Sequence, residues 1–360
     1  MMIELKEAKV EEIISHRSAL TKVKLKIGRE IKTAINYDQL SGSIEEGDKV
    51  IVNTSATSLG LGTGGYDFIV YILGKEQSLA EQGHIMKLRY TPYQLQTCSI
   101  AEQENDFHEQ FADVDSLAAT PVVVGTLHSM LAPIVAMIKA KRPQAKVAYI
   151  MTDGAALALA LSDLVYQLQE LKLIDLTITC GHAFGGQIEA VNIYSALLGA
   201  YLHEVDIIVV TMGPGIVGTG TKYGFSGTEQ ADILNAVSNL GGLPIAVPRI
   251  NFGDSRERHY GLSHHSRTNL GELVLVKSLI GIPKFSGQRK RIIQEQLKEA
   301  KISDKHQIFY KSQQEVDSEL DNFDIKLTTM GHSYNQVPEY FLTAGLGGVI
   351  AVEQLEINRG

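Results

Sequence analysis

The chain has only two cysteines, Cys98 and Cys180, in 360 residues. Two thiols in so long a sequence do not build a disulfide scaffold, and a cytoplasmic protein is the natural expectation. The first stretch, Met1-Met-Ile-Glu-Leu-Lys-Glu7, lacks the apolar run of a signal peptide. No hydrophobic segment is long enough to span a bilayer. The most apolar, Ala155 to Leu168, is broken by Ser162 and Asp163 and reads as a core helix, so no membrane partner is expected. Positive charge is in short supply too: 33 basic against 41 acidic residues give a net charge of −8. That balance argues against a nucleic acid partner, whose phosphates need a concentrated basic face. No HExxH or paired-cysteine motif appears, so no metal is expected, and no repeat period is visible.

What is present is apolar. Hydrophobic residues make up 44% of the chain, enough for a sizeable core, and the length suits two domains. Residues 1–97 carry short strand signals. Val23-Lys-Leu-Lys-Ile27 alternates apolar and charged residues, and Lys49-Val-Ile-Val-Asn53, Tyr66-Asp-Phe-Ile-Val-Tyr-Ile72 and Ile85-Met-Lys-Leu-Arg-Tyr90 follow. These imply a small β-rich domain, a barrel or a sandwich. Residues 98–119 hold the acidic, Gln-rich run from Glu102 to Asp115 and are expected to be a linker.

From residue 120 to 360 strands alternate with helices, starting with Pro121-Val-Val-Val-Gly125, Lys146 to Thr152, Asp175 to Cys180, Asp206 to Met212 and Leu243 to Arg249. Helices are expected at 155–171, 187–203, 228–240 and 288–300, a strand at 306–310, and a last helix after Pro338. Met330-Gly-His-Ser333 is expected to close a further strand. This rhythm predicts an α/β domain with a doubly wound, mostly parallel sheet.

In such a sheet ligands bind outside the carboxyl ends of the strands. The residues that follow each strand are therefore the candidates. They are Thr126, His128 and Ser129; Asp153 and Gly154; Gly181, His182, Gly185 and Gly186; Gly213, Gly215, Gly218, Gly220 and Lys222; and Asp254, Arg256, Arg258, His259, His264, His265 and Arg267. Asp153 and His182 suit acid–base work, although Asp153 could equally cap a helix. The glycines of 213–220 suit a backbone cradle for an anion, with Lys222 adding charge. The arginines suit a carboxylate or phosphate.

Sharper motifs fit poorly. Gly213-x-Gly215-x-x-Gly218 has dinucleotide spacing, but it lies after the fourth strand of its domain and contains Pro214. Gly215 to Lys222 lacks the adjacent Gly-Lys pair of a phosphate loop. Cys180 with His182 suggests a nucleophile, yet Cys180 ends a buried strand. His264 and His265 with His259, Asp254 and His182 could assemble a metal site, but adjacent histidines seldom share one ion. Ser226-Gly-Thr-Glu229 has capping-box spacing and is expected to start a helix. No cofactor can be named. The expected partner is a small anionic ligand, and homo-oligomerisation is left open. Three functions remain: first an enzyme acting on a small anionic, phosphorylated or similar, metabolite; second a non-catalytic ligand-binding or regulatory protein using the same crevice; and last a structural oligomer whose glycine loops merely pack backbones.

Gly60-Leu-Gly-Thr-Gly-Gly-Tyr66, Gly125-Thr-Leu-His-Ser-Met-Leu-Ala-Pro133, Met151-Thr-Asp-Gly-Ala155, Thr179-Cys-Gly-His-Ala-Phe-Gly-Gly186, Met212 to Gly220 and Gly261-Leu-Ser-His-His265 together resemble a bacterial family catalogued as domain of unknown function 3866. The resemblance covers nearly the whole chain and implies no activity. Its signature segments are the same strand-end loops.

Overall fold

The computed structural model describes residues 3–78, 83–320 and 322–359. The chain divides into two compact units, residues 1–98 with 160–163, and residues 99–159 with 164–360.

In the first unit, β1 (Leu5–Arg17), β2 (Leu20–Ile27), β3 (Glu30–Tyr37), β4 (Lys49–Asn53) and β5 (Asp67–Ile72) close into a barrel in the order β1-β2-β3-β5-β4. Neighbours run antiparallel except β3 and β5. The alternation read in the sequence is the wall of this barrel: Val23 and Leu25 are buried while Lys24 and Lys26 face solvent. Val10, Ala34, Val50, Val52 and Ile69 fill the interior with them. A separate hairpin pairs β6 (Ile85–Lys87) with β7 (Leu95–Thr97). Residues 98–119, expected to be a linker, contain the short helix His108–Asp113, and Ile100 and Leu117 are buried in the second unit's core.

The second unit is built on an eight-stranded, all-parallel sheet. Its strands are β8 (Pro121–Val124), β9 (Val147–Thr152), β10 (Leu176–Cys180), β11 (Ile188–Ala190), β12 (Ile207–Met212), β13 (Leu243–Ala246), β16 (Leu279–Pro283) and β17 (Gln307–Lys311). Between them in sequence, β14 (Ile250–Asn251) and β15 (Gly261–Leu262) pair separately, antiparallel. The sheet order is β11-β10-β9-β12-β8-β13-β16-β17. Its central strands β8, β9 and β12 are buried at every position because both faces are covered. Val122, Val124, Ala148, Ile150, Ile208 and Val210 pack on the side of helices Ile193–Leu202, Glu229–Asn239 and Gly287–Glu299. Val123, Val147, Tyr149, Met151, Ile207 and Val209 pack on the side of helices Leu131–Lys141 and Pro338–Arg359. The last two helices touch closely at Gly348, where a Cβ would stand 2.3 Å from the Ile134 carbonyl oxygen.

Four sequence expectations are corrected. The apolar run from Ala155 is not one helix. Residues 155–158 are non-helical, and their backbone bonds to two neighbouring loops, with Leu159 N donating to Phe184 O and Phe184 N to Leu157 O. The helix begins only at Asp163. The helix expected at 187–203 is preceded by the edge strand β11, which pairs with β10, and starts at Ile193 behind an Asn192 cap. The capping box at Ser226 does not form: residues 226–228 make a 3-10 turn, and Glu229 turns its side chain elsewhere. The segment at Met330 is not a sheet strand. It is the turn of a small antiparallel hairpin, Thr328–Thr329 with His332–Ser333, in which Met330 and Gly331 both have positive φ.

Candidate functional site

Sheet order fixes where a crevice opens. From β8 the chain passes along one face of the sheet to β9, and from β12 along the other face to β13. The loops leaving β8 and β9 therefore part from the loop leaving β12, which lies between them, and leave a cleft at the C-terminal edge. Thr152, Asp153, His128, Gly213 and the start of helix Glu229–Asn239 stand at that edge.

Two carboxyl groups meet there. Glu229, on the first turn of its helix, accepts a hydrogen bond from Thr152 Oγ1 at 2.7 Å. Burial raises its carboxyl from 4.5 to about 7, and the nearby charges of Asp153 and Asp232 push the same way, against the Thr152 hydrogen bond. Gln230, the next residue, is fully buried and donates to Val124 O and Val247 O, which pins the helix start to the ends of β8 and β13. Asp153 accepts a hydrogen bond from the backbone N–H of His182 at 2.8 Å. It caps this turn and not a helix of its own. Two glycines make room for these carboxylates. A Cβ at Gly154 would stand 2.4 Å from Glu229 Oε2, and one at Gly181, where φ is +67°, would stand 2.2 Å from Asp153 Oδ2.

The other candidates fall into three groups. The first is structural. Thr126 is buried with its hydroxyl toward Met130 Sδ. The Gly185 N–H donates to Glu189 and the Gly186 N–H to Thr179 Oγ1, so both amides hold their own loop. Lys222 pairs with Glu272 at 2.7 Å.

The second group lies at the ends of β8 and β12. His128 Nδ1 lies 3.2 Å from Met212 O and 3.3 Å from Tyr149 Oη, and burial lowers the ring to about 4. Gly213 packs on Ala156, whose N–H donates to Pro214 O, so Asp153 and Gly215 lie at the same edge of the sheet. Gly215, with φ +111°, has open space where a Cβ would be. Beyond it the loop folds on itself: Ser226 N donates to Val217 O and Thr219 N to Gly224 O, with Gly218 bridged to Phe225.

The third group surrounds the 249–267 segment. Asp254 bonds both Arg249, at 2.9 Å, and Arg256, at 2.8 Å, and these guanidinium partners hold its carboxyl well below the usual range. A cavity of about 300 Å³ opens beside them, lined by Arg249, Asn251, Asp254, Arg256, His332 and Tyr340 among others. Arg258 stands near Gly220, and Arg267 Nε is buried with no hydrogen-bond partner. His259, His264 and His265 cluster, with ring centroids 4.2–5.1 Å apart. His265 also stacks on Phe225 at 3.8 Å.

Sequence reasoning missed Glu229 and Arg249. Glu229 was assigned to a capping box and Arg249 to a strand end. No local signal marks either, because Thr152 lies 77 residues from Glu229. Chemically, a largely buried carboxyl raised to near neutrality can give and take a proton, and two arginines sharing one aspartate can receive an anion.

Among the described residues no helix is long and apolar enough to cross a membrane. A search of curated proteins finds no match to the chain. A family model described as protein of unknown function (DUF3866) matches residues 33–348, from the third barrel strand to the last helix, and the chain belongs to that family.

Proposed function

We propose that the second unit is an enzyme that moves a proton on a small anionic metabolite held at the C-terminal edge of the sheet. In this reading Glu229 is the proton-transferring group. Burial, with Asp153 as a smaller contributor, raises the Glu229 carboxyl to about 7, and Asp153 is itself held by the His182 amide. Arg249 and Arg256 receive the anion, and Gly213 and Gly215 let the backbone approach it. His182 and His128 flank the reacting group. The observation that carries the proposal is the Glu229–Asp153 carboxyl pair at the topological switch of the sheet, with glycines on both sides where side chains would clash.

The test is a thermal-shift screen of phosphate esters and small carboxylates on the full chain, followed by a search for turnover of any that bind. Glu229→Gln should abolish turnover and keep binding, while Arg256→Ala should weaken binding. A bound metabolite that stays intact would make the site a sensor. If no anion binds, the proposal fails.

A further inference from the structure

The three histidines of the 259–265 segment have an arrangement that acid–base chemistry at Glu229 does not use. The short ladder of β14 with β15 folds the segment back, pairing Ile250 with Leu262 and Asn251 with Gly261. This returns His259 to the start of helix His264–Thr268, which Ser263 caps by accepting from His265 N. One ring nitrogen from each of His259, His264 and His265 then lies within 4.8 Å of the others. His264 Nε2 is buried and has no hydrogen-bond partner. An orphaned ring nitrogen in a protein interior is costly unless something binds it.

We propose that His259, His264 and His265 form a binding site for one divalent transition metal ion of the zinc class, with a fourth position open to an exogenous ligand. Three imidazoles favour zinc, cobalt, nickel or copper over magnesium or calcium. Three protein ligands leave a vacancy of the kind seen in catalytic zinc sites. Bonds of about 2.1 Å in a tetrahedral set place ligand nitrogens roughly 3.4 Å apart, so the rings need to close by up to about 1.4 Å. The supporting contacts suit the role. His259 Nδ1 is 2.7 Å from Ser263 Oγ and 3.4 Å from Arg249 Nη1, so a metal at Nε2 requires the tautomer whose Nδ1–H donates to the serine, with Arg249 Nη1 moved off that nitrogen. The Phe225 ring fixes the plane of His265.

Charge at the cluster is mixed. Arg249, Arg256, Arg258 and Arg267 oppose a dication, and Asp254 offsets part of this. Their net positive field favours hydroxide or another anion as the fourth ligand.

The experiment uses the full chain without a histidine tag, stripped with chelator and desalted. Cobalt(II) and zinc chloride are titrated in, with the visible bands of low-coordinate cobalt and calorimetric stoichiometry as readouts. We expect one ion per chain, with affinity falling at least about 100-fold in His264→Ala and in His265→Ala. Thermal melting of each metal-free variant checks its folding, and His259→Gln is the alternative should either alanine variant unfold. Absence of stoichiometric binding, or binding retained when each histidine is replaced, would overturn the proposal. Because metal content and not turnover is read, this result is independent of the acid–base reading.

Discussion

Thr152 Oγ1 donates a 2.7 Å hydrogen bond to Glu229, joining the last residue of β9 to the first residue of helix Glu229–Asn239. This one contact ties the two sides of the switch-point cleft together. It also sets the environment of the carboxyl on which the functional proposal turns.

The Glu229 carboxyl makes stability depend on pH. Its folded-state value of about 7 lies above its ordinary 4.5, so the folded state binds the proton more tightly. Stability is then lost as pH rises from about 4.5 through 7. The difference corresponds to about 3 kcal/mol. Glu229→Gln keeps an acceptor for Thr152 and removes the charge. The variant should match wild type at pH 4 and exceed it at pH 8 in urea denaturation. Equal stability at both pH values would refute the assignment.

Gly154→Ala places a Cβ 2.4 Å from Glu229 Oε2. The carboxyl must move off Thr152, at a cost of about 1–3 kcal/mol. In a Glu229→Ala background the same substitution should cost much less. A double-mutant cycle by chemical denaturation measures the coupling, and strict additivity would contradict the contact.

Asp254→Ala leaves Arg249 buried without its carboxylate partner. Removing one member of such a pair costs about 3 kcal/mol or more. Asp254→Ala with Arg249→Met should recover much of the loss, because the buried charge goes too. Thermal melting of the single and double variants decides it.

Gly215→Val tests the cradle. Nothing lies within 4 Å of its Cβ position, so its structural cost comes from φ +111° alone, about 1–3 kcal/mol. The fold should survive while anion binding is lost. Arg258→Ala should weaken binding by about 1–3 kcal/mol if its guanidinium makes a charged hydrogen bond. Calorimetry with the anion found by screening measures both, and unchanged affinity would remove these residues from the site.

Local pattern was enough to read a small β-rich unit, barrel or sandwich, and the parallel sheet; closure into a barrel came from the structure. Val23 to Ile27 alternates because one face of a barrel strand is wet, and Val122 to Val124 does not because both faces of a central strand are covered. The rhythm of those strands also implied that Asp153 and Gly215 share an edge. Periodicity failed where a segment's partners are distant. Residues 155–158 are apolar enough for a helix, but bonds to residues 184 and 214 hold them out of one. Ser226 and Glu229 have the spacing of a capping box, but Thr152 claims the glutamate.

By itself the sequence determined the alternation of the main strands with helices and the edge on which the loops gather, because these follow from side-chain periodicity along the chain. Only the tertiary structure decided which loop residues meet. Glu229 beside Asp153, Arg249 sharing Asp254 with Arg256, and His259 folded back on His264 and His265 all depend on sheet order and loop closure, which no local pattern encodes.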